Sequence, residues 1–170
     1  TSGRRRGEAE AAERAGAIVL HKPYQPGPLL QFVLECQKPA RVLVVDDDSG
    51  VLAILNRSLS SLGFEISTAP GLASGRLALE EKNPDAVLLD LRLLDGSGLE
   101  LLDYAQRLES PPLAVLITGF LGEYRREVER ALEGPAYACL EKPFQTGQVA
   151  ETLRKGLREK LLENCGKIMR

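Results

Sequence analysis

The chain has 170 residues, 44% hydrophobic and 27% charged, with a formal net charge of −2, which fits one ordinary domain with some excess and gives no support for a general nucleic-acid-binding surface. No apolar run approaches a membrane span and no secretory signal is visible. Cys36, Cys139 and Cys165, widely spaced and odd in number, match neither a disulfide framework nor a zinc pattern, so a reducing cytoplasm is expected, and His21, the single histidine, argues against a His-rich metal site or a Ser-His-Asp triad.

Thr1 rather than Met stands first, as expected of a piece of a longer chain. Residues 1–17 pass from the basic run Arg4–Arg6 into a helix-like stretch ended by Gly16. A short apolar run, Ala17–Leu20, leads to His21-Lys22-Pro23-Tyr24, and Leu29–Cys36 reads as a second helix with Pro28 suited to its first turn. Residues 38–40 read as a linker.

From Arg41 the pattern is regular. Val42–Val45 is a buried-strand candidate that ends in Asp46, Asp47 and Asp48. Val51, Leu52, Ile54, Leu55, Leu59 and Leu62 then follow a helical period, with Gly63 as C-terminal cap. Phe64–Thr68 is a short strand, Leu72 to about Lys82 a helix, and Asn83-Pro84 its end. Ala86–Asp90 is an apolar strand closed by an acid, followed by the Gly-rich turn Asp95–Gly98 and an amphipathic stretch, Leu99–Leu108. On this segment alone, Asp90 as a turn cap and Asp90 as a site residue stand even. After Pro111-Pro112 come a strand, Leu113–Ile117, ending at Thr118-Gly119, and a polar helix, Glu123–Leu132. Ala136–Leu140 is the fifth strand, ending at Glu141-Lys142-Pro143-Phe144, and the last helix starts near Thr146 and runs past Leu161.

Five strand–helix units in alternation imply an α/β fold: a doubly wound five-stranded parallel sheet of flavodoxin-like order 2-1-3-4-5 with helices on both faces. In such a sheet Asp46 and Asp47, Asp90, Thr118 and Lys142 all stand at carboxyl ends of strands and converge on one crevice. Paired carboxylates at about 4 Å repel by roughly 4 kcal/mol at an effective dielectric near 20. Raised pKa values or a cation must offset that, and an all-oxygen acidic site suits Mg2+. Lys142 adds a positive charge able to pair with one carboxylate or with a phosphoryl oxygen, and Thr118 adds a hydroxyl. The set matches phosphoryl transfer onto an aspartate, where an ionised carboxylate needs no general base. Taken singly, consecutive acids after a strand are more often a solvated helix start, and Thr-Gly or Lys-Pro alone is uninformative. Their joint order is what carries the reading.

The motifs RVLVVDDDSG, PDAVLLDLRLLDGSGLELL, LAVLITG and LEKPF, spread over about Ala40–Leu161, resemble the receiver (response-regulator) domain of bacterial two-component signalling. The resemblance implies Asp90 as phosphoacceptor, Asp47 as a direct Mg2+ ligand, Asp46 acting on the metal mainly through water, and the Arg92 backbone carbonyl as a further ligand. Thr118 would be the switch hydroxyl, Lys142 the phosphate-contacting lysine, and the Lys142-Pro143 peptide cis. Implied partners are a histidine kinase or phosphotransfer protein upstream and an effector or other domains of the same polypeptide downstream, with a homodimer an open option and no direct nucleic-acid or membrane contact. The implied role is that of a phosphoacceptor signalling domain, not an enzyme, beyond Mg2+-dependent self-phosphorylation and self-dephosphorylation. Two departures stand out: Leu94 occupies a position where the family commonly has proline, and Cys139 one where it usually has an aromatic, with Tyr137 two residues earlier.

Lys22-Pro23-Tyr24 and Lys142-Pro143-Phe144 lie 120 residues apart, about one receiver length, and Leu20, Gln25 and Gly27 match Leu140, Gln145 and Gly147. Residues 1–37 therefore read as the helix–strand–helix end of a preceding receiver, either a remnant or a swapped element. That leaves a receiver over 41–163 and a tail over 164–170, as in a hybrid histidine kinase, with no effector within this chain. Two rivals remain. One is a phosphorylation-independent interaction module of the same fold. The other is an aspartate-nucleophile phosphatase, which wants its two acids separated by one residue on the first strand, whereas here the acceptor-like acid lies on another strand.

Overall fold

The computed structural model describes residues 38–119 and 122–168, with side chains described through Asn164; the proposed remnant over 1–37 and Phe120 lie outside the described residues. Five parallel strands form one sheet: β1 (Arg41–Val45), β2 (Glu65–Ala69), β3 (Ala86–Asp90), β6 (Leu113–Thr118) and β7 (Ala138–Glu141). Their order is β2-β1-β3-β6-β7. A separate antiparallel ribbon, β4 (Arg92–Leu93) with β5 (Gly96–Ser97), follows β3 directly. With that ribbon set aside the order is the expected 2-1-3-4-5.

The central strands β1, β3 and β6 are buried on both faces, as their unbroken apolar runs require. Successive residues feed alternate layers. Leu43, Val45, Val87, Leu89, Ala114 and Leu116 pack with Leu79, Leu101, Leu102 and Val128, which belong to α2 (Leu72–Lys82), α3 (Gly98–Ala105) and α4 (Arg125–Leu132). Val42, Val44, Leu88, Val115 and Ile117 pack with Leu55, Leu59, Val149 and Leu153, from α1 (Ser49–Ser61) and α5 (Thr146–Ile168). Each fully buried Leu or Ile contributes on the order of 2 kcal/mol. The fold is thus doubly wound, with helices on both faces, and residues Pro39–Lys160 make one compact unit.

Local signals set the ends of the elements. Gly63 after α1 has φ +91°, and Asn83 after α2 takes the left-handed conformation at φ 44°, immediately before Pro84. Ser97 and Glu100 close a reciprocal capping box at the start of α3. Some limits shift. Instead of reaching Leu108, α3 ends at Ala105, because the Arg107 and Leu108 N–H groups bond back three residues, to Tyr104 and Ala105, in a tightened turn. Only at Ala138 does β7 begin, since Ala136 still donates to Ala131 of the preceding helix end. The last helix continues to Ile168, so residues expected as a tail from 164 are helical that far. Among the described residues no helix is long and apolar enough to cross a membrane.

Candidate functional site

The sheet order places β1 and β3 side by side, in register from Val42↔Ala86 to Val45↔Leu89. Asp46 and Asp47 follow the last residue of β1, and Asp90 is the last residue of β3. One carboxylate oxygen from each of the three lies within 4.8 Å of the others. Thr118 is the last residue of β6 and is buried, and Lys142 follows β7. The backbone N–H of Lys142 donates to the Thr118 carbonyl at 2.8 Å, which locks the ends of these two strands together. The five residues therefore stand at the carboxyl ends of four neighbouring strands, β1, β3, β6 and β7.

Lys142 bridges two acids: its Nζ lies 2.7 Å from Asp46 Oδ2 and 2.6 Å from Asp90 Oδ2. The sequence reading gives it one carboxylate; the structure gives it two, because Asp46 and Asp90 end adjacent strands and face the same amine. Their other oxygens are also engaged. Asp46 Oδ1 accepts the Asp48 N–H at 2.9 Å, and Asp90 Oδ1 accepts the Arg92 N–H at 3.1 Å. Burial pushes the Asp46 carboxyl above its ordinary pKa, outweighing the Lys142 hydrogen bond that pulls it down. Burial also pulls the Lys142 amine down, yet the hydrogen bonds and charges of Asp46 and Asp90 together outweigh it, so this amine stays charged above its ordinary range. Asp47 is half-buried beside them.

The donor set is all oxygen and clustered, which fits a hard divalent cation such as Mg2+. At the separations present, each carboxylate pair repels by roughly 3 kcal/mol at an effective dielectric near 20. One ammonium offsets part of that, and a divalent ion would offset the rest. Arg92 opens β4, its side chain exposed and its backbone paired with Ser97.

Two acids have roles that the sequence reading does not give them. Asp48, the third of the run, caps α1: its Oδ1 accepts the N–H groups of Gly50 at 2.7 Å and Val51 at 3.2 Å. An acid directly before a Ser-Gly helix start is the local signal for that. Asp95, at the ribbon tip, accepts the N–H groups of Leu72 and Ala73, which hold its carboxyl below its ordinary pKa. No local signal marks this partner, which is 23 residues away. The Lys142-Pro143 peptide is cis. Leu94 is 89% exposed at the ribbon tip. Cys139 packs against the α2–α4 layer whereas Tyr137 packs against the α1/α5 layer, so Tyr137 does not fill the place of an aromatic at 139.

Residues 42–154 match the family model described as the response regulator receiver domain. The chain is 30% identical over 122 residues to the transcriptional regulatory protein GlrR of Escherichia coli K12, covering 72% of this chain and 27% of that protein. It is 34% identical over 124 residues to the transcriptional regulatory protein PrrA of Mycobacterium tuberculosis H37Rv, covering 71% and 51%. Among solved structures, a CheY-like response regulator receiver domain protein from Methanospirillum hungatei superposes with a TM-score of 0.66 at 27% identity, covering 72% of this chain and 98% of that one. The chain thus spans from about a quarter to about half of the length of these curated relatives.

Proposed function

The chain belongs to the response regulator receiver domain family of two-component systems, and on that premise we propose that it accepts a phosphoryl group on Asp90 from a histidine kinase or phosphotransfer protein and thereby switches a partner surface. The observation that carries this reading is the Lys142 amine held between Asp46 and Asp90, with Asp47 alongside. Mg2+, held by Asp47, Asp90 and the Arg92 carbonyl, with Asp46 acting through water, would supply positive charge to the transferring oxygens.

The chain's own groups do the rest. A lone pair of the Asp90 carboxylate attacks phosphorus, the new O–P bond forms, and the bond from phosphorus to the donor's imidazole nitrogen breaks. Each carboxylate oxygen has two lone pairs, so the single hydrogen bond seen on each Asp90 oxygen leaves one free. Lys142, already 2.6 Å from Asp90, needs only a small shift to pair with a phosphoryl oxygen. The Thr118 hydroxyl joins it from the neighbouring strand end, and the resulting pull biases the surface around β6, α4 and β7. That bias is no larger than the phosphate's preference for one arrangement. Water later attacks the phosphorus, and the carboxylate and inorganic phosphate are released.

The setting fits a cytoplasmic multi-receiver protein or hybrid histidine kinase, with residues 1–37 the end of a preceding receiver and 41–163 this one. Downstream partners are an effector protein or other domains of the same polypeptide. Incubation of the chain with Mg2+ and acetyl phosphate should add one phosphate by mass spectrometry, and none to Asp90→Asn. An unmodified wild-type chain would sink the reading. A second reading, a phosphorylation-independent interaction module, draws on Cys139, which leaves the usual aromatic position filled by a small half-buried thiol. Under it, partner binding would be the same for wild type and Asp90→Asn.

A further inference from the structure

Helix α2 starts in an unusual way. Gly71, its N-cap residue, has no side chain to offer and makes no capping bond. The cap comes from elsewhere: Asp95 accepts the Leu72 N–H on Oδ1 at 2.7 Å and the Ala73 N–H on Oδ2 at 3.2 Å. A charged acceptor on the first N–H groups of a helix is favourable both as a hydrogen bond and through the helix dipole. Two glycines make room for it. A Cβ on Gly71 would lie 2.7–2.9 Å from the Asp95 carboxylate atoms, and one on Gly96 would lie 2.6 Å from Leu72 Cδ2. The ribbon tip and the start of α2 are therefore fitted to each other from both sides.

The same contact closes a ring through the site. The Asp46 N–H donates to the Ala69 carbonyl at the end of β2. Three residues further on, Leu72 donates to Asp95, and the ribbon leads from Asp95 back to Arg92, whose N–H holds Asp90. Lys142 then joins Asp90 to Asp46. Asp46 and Asp90 are tied into the same closed path, with Asp47 next to Asp46 in the chain, and Asp95 is its one link through an exposed side chain.

We propose that Asp95 is a positioning residue for chemistry at Asp90: by capping α2 from the acceptor ribbon it holds Asp90 at its spacing from Asp46 and Asp47, and so sets the affinity of the acids for Mg2+. The inference rests on the phosphoacceptor reading above. Asp95 itself touches neither the amine nor the acids; its two oxygens are spent on α2. Groups that orient a metal's ligands typically change affinity by about tenfold or more when removed.

The test compares wild type, Asp95→Asn, Asp95→Ala and Asp95→Ala combined with Gly71→Ser, each as the full chain. Gly71 has extended backbone, which Ser adopts freely, and Ser at an N-cap restores a local cap without any link to the ribbon. Mg2+ affinity by calorimetry, urea midpoint, and phosphate uptake from acetyl phosphate are measured for all four. Asp95→Ala should bind Mg2+ roughly tenfold more weakly, and Asp95→Asn, with one oxygen still able to accept, should fall between. The combined variant should regain the urea midpoint while keeping the weakened affinity. Affinity within twofold of wild type for Asp95→Ala overturns the proposal. So does recovery of affinity along with stability in the combined variant, which would make Asp95 a helix cap and nothing more, and so does a wild type with no measurable Mg2+ binding. A wild type that binds Mg2+ yet takes no phosphate defeats the phosphoacceptor reading instead, while the Mg2+ titrations still decide the role of Asp95.

Discussion

Replacing Gly98 by Ala should damage the fold and the acid cluster together. An ideal Cβ at this position would lie 2.0 Å from the Asp90 carbonyl oxygen, 2.9 Å from its carbonyl carbon and 3.2 Å from Leu91 Cα. An ordinary carbon–oxygen contact is about 3.3 Å, so two backbone segments must part by more than about 1 Å. Neither is a flexible side-chain end that could turn away. Parting them breaks the Gly98 N–H bond to the Leu91 carbonyl at 3.0 Å, for about 1 kcal/mol. It also displaces Ser97, whose Oγ accepts the Leu99 N–H at 3.2 Å and caps α3, for about another 1 kcal/mol. With residual backbone strain of about 1 kcal/mol, the total is roughly 3 kcal/mol, a large loss for a single methyl group. Urea unfolding followed by far-UV circular dichroism at 25 °C measures it. Because the shift acts on the Asp90 backbone, Mg2+ affinity should weaken in parallel. Destabilisation below about 0.5 kcal/mol with unchanged Mg2+ affinity would refute the reasoning.

Gly147→Ala is the matching control. Nothing lies within 4 Å of a Cβ there, in the first turn of α5, so urea unfolding should show neutrality or a gain of up to about 1 kcal/mol. Lys142→Met in metal-free buffer leaves Asp46, 1% exposed, without its ammonium, and should destabilise by about 3 kcal/mol near pH 8. Lys142 pulls the raised Asp46 pKa down, so its loss pushes that carboxyl further up and lets the variant gain more than the wild type as pH falls; the deficit in urea should shrink by pH 5, and an equal deficit at both would contradict the assignment. Asp95 titrates the other way. Its folded pKa lies below the ordinary 3.8, so its cap contributes above that value and is lost as pH falls through the lower one. The gap in melting temperature between wild type and Asp95→Asn should therefore be constant from pH 7 to 5 and narrow below pH 4.

Much of this molecule can be read along the chain because its signals are local. The runs in β1, β3 and β6 are apolar throughout, Gly63 and Asn83 mark helix ends, and the alternation of strand and helix leaves few topologies. Asp46, Asp47, Asp90, Thr118 and Lys142 are legible for the same reason: each ends or follows a strand, and a parallel sheet brings such ends to one side. What stays hidden is long-range pairing. That Lys142 spans two acids depends on how far β7 reaches beside β6, and the Asp95 cap on α2 depends on a ribbon folding back over 23 residues. Helix and strand limits such as Ala105 and Ala138 slip because apolar periodicity continues after the hydrogen bonds have changed partner. Leu108, for instance, still packs on the core beyond the end of α3.

The positions of the strands within the sheet give the two halves of the charged cluster unequal mechanical footing. Asp46 and Asp90 ride on β1 and β3, each flanked by neighbours on both sides, whereas Lys142 hangs from β7, a border strand whose single neighbour, β6, holds it from Val115↔Ala138 to Thr118↔Glu141. Borders fray before centres do. A brief detachment of β7 would carry the ammonium away and leave the carboxylates at their set spacing, as a bare anionic socket. A cation entering that socket would then meet it from the rim of the sheet, where the single-neighbour strand lies.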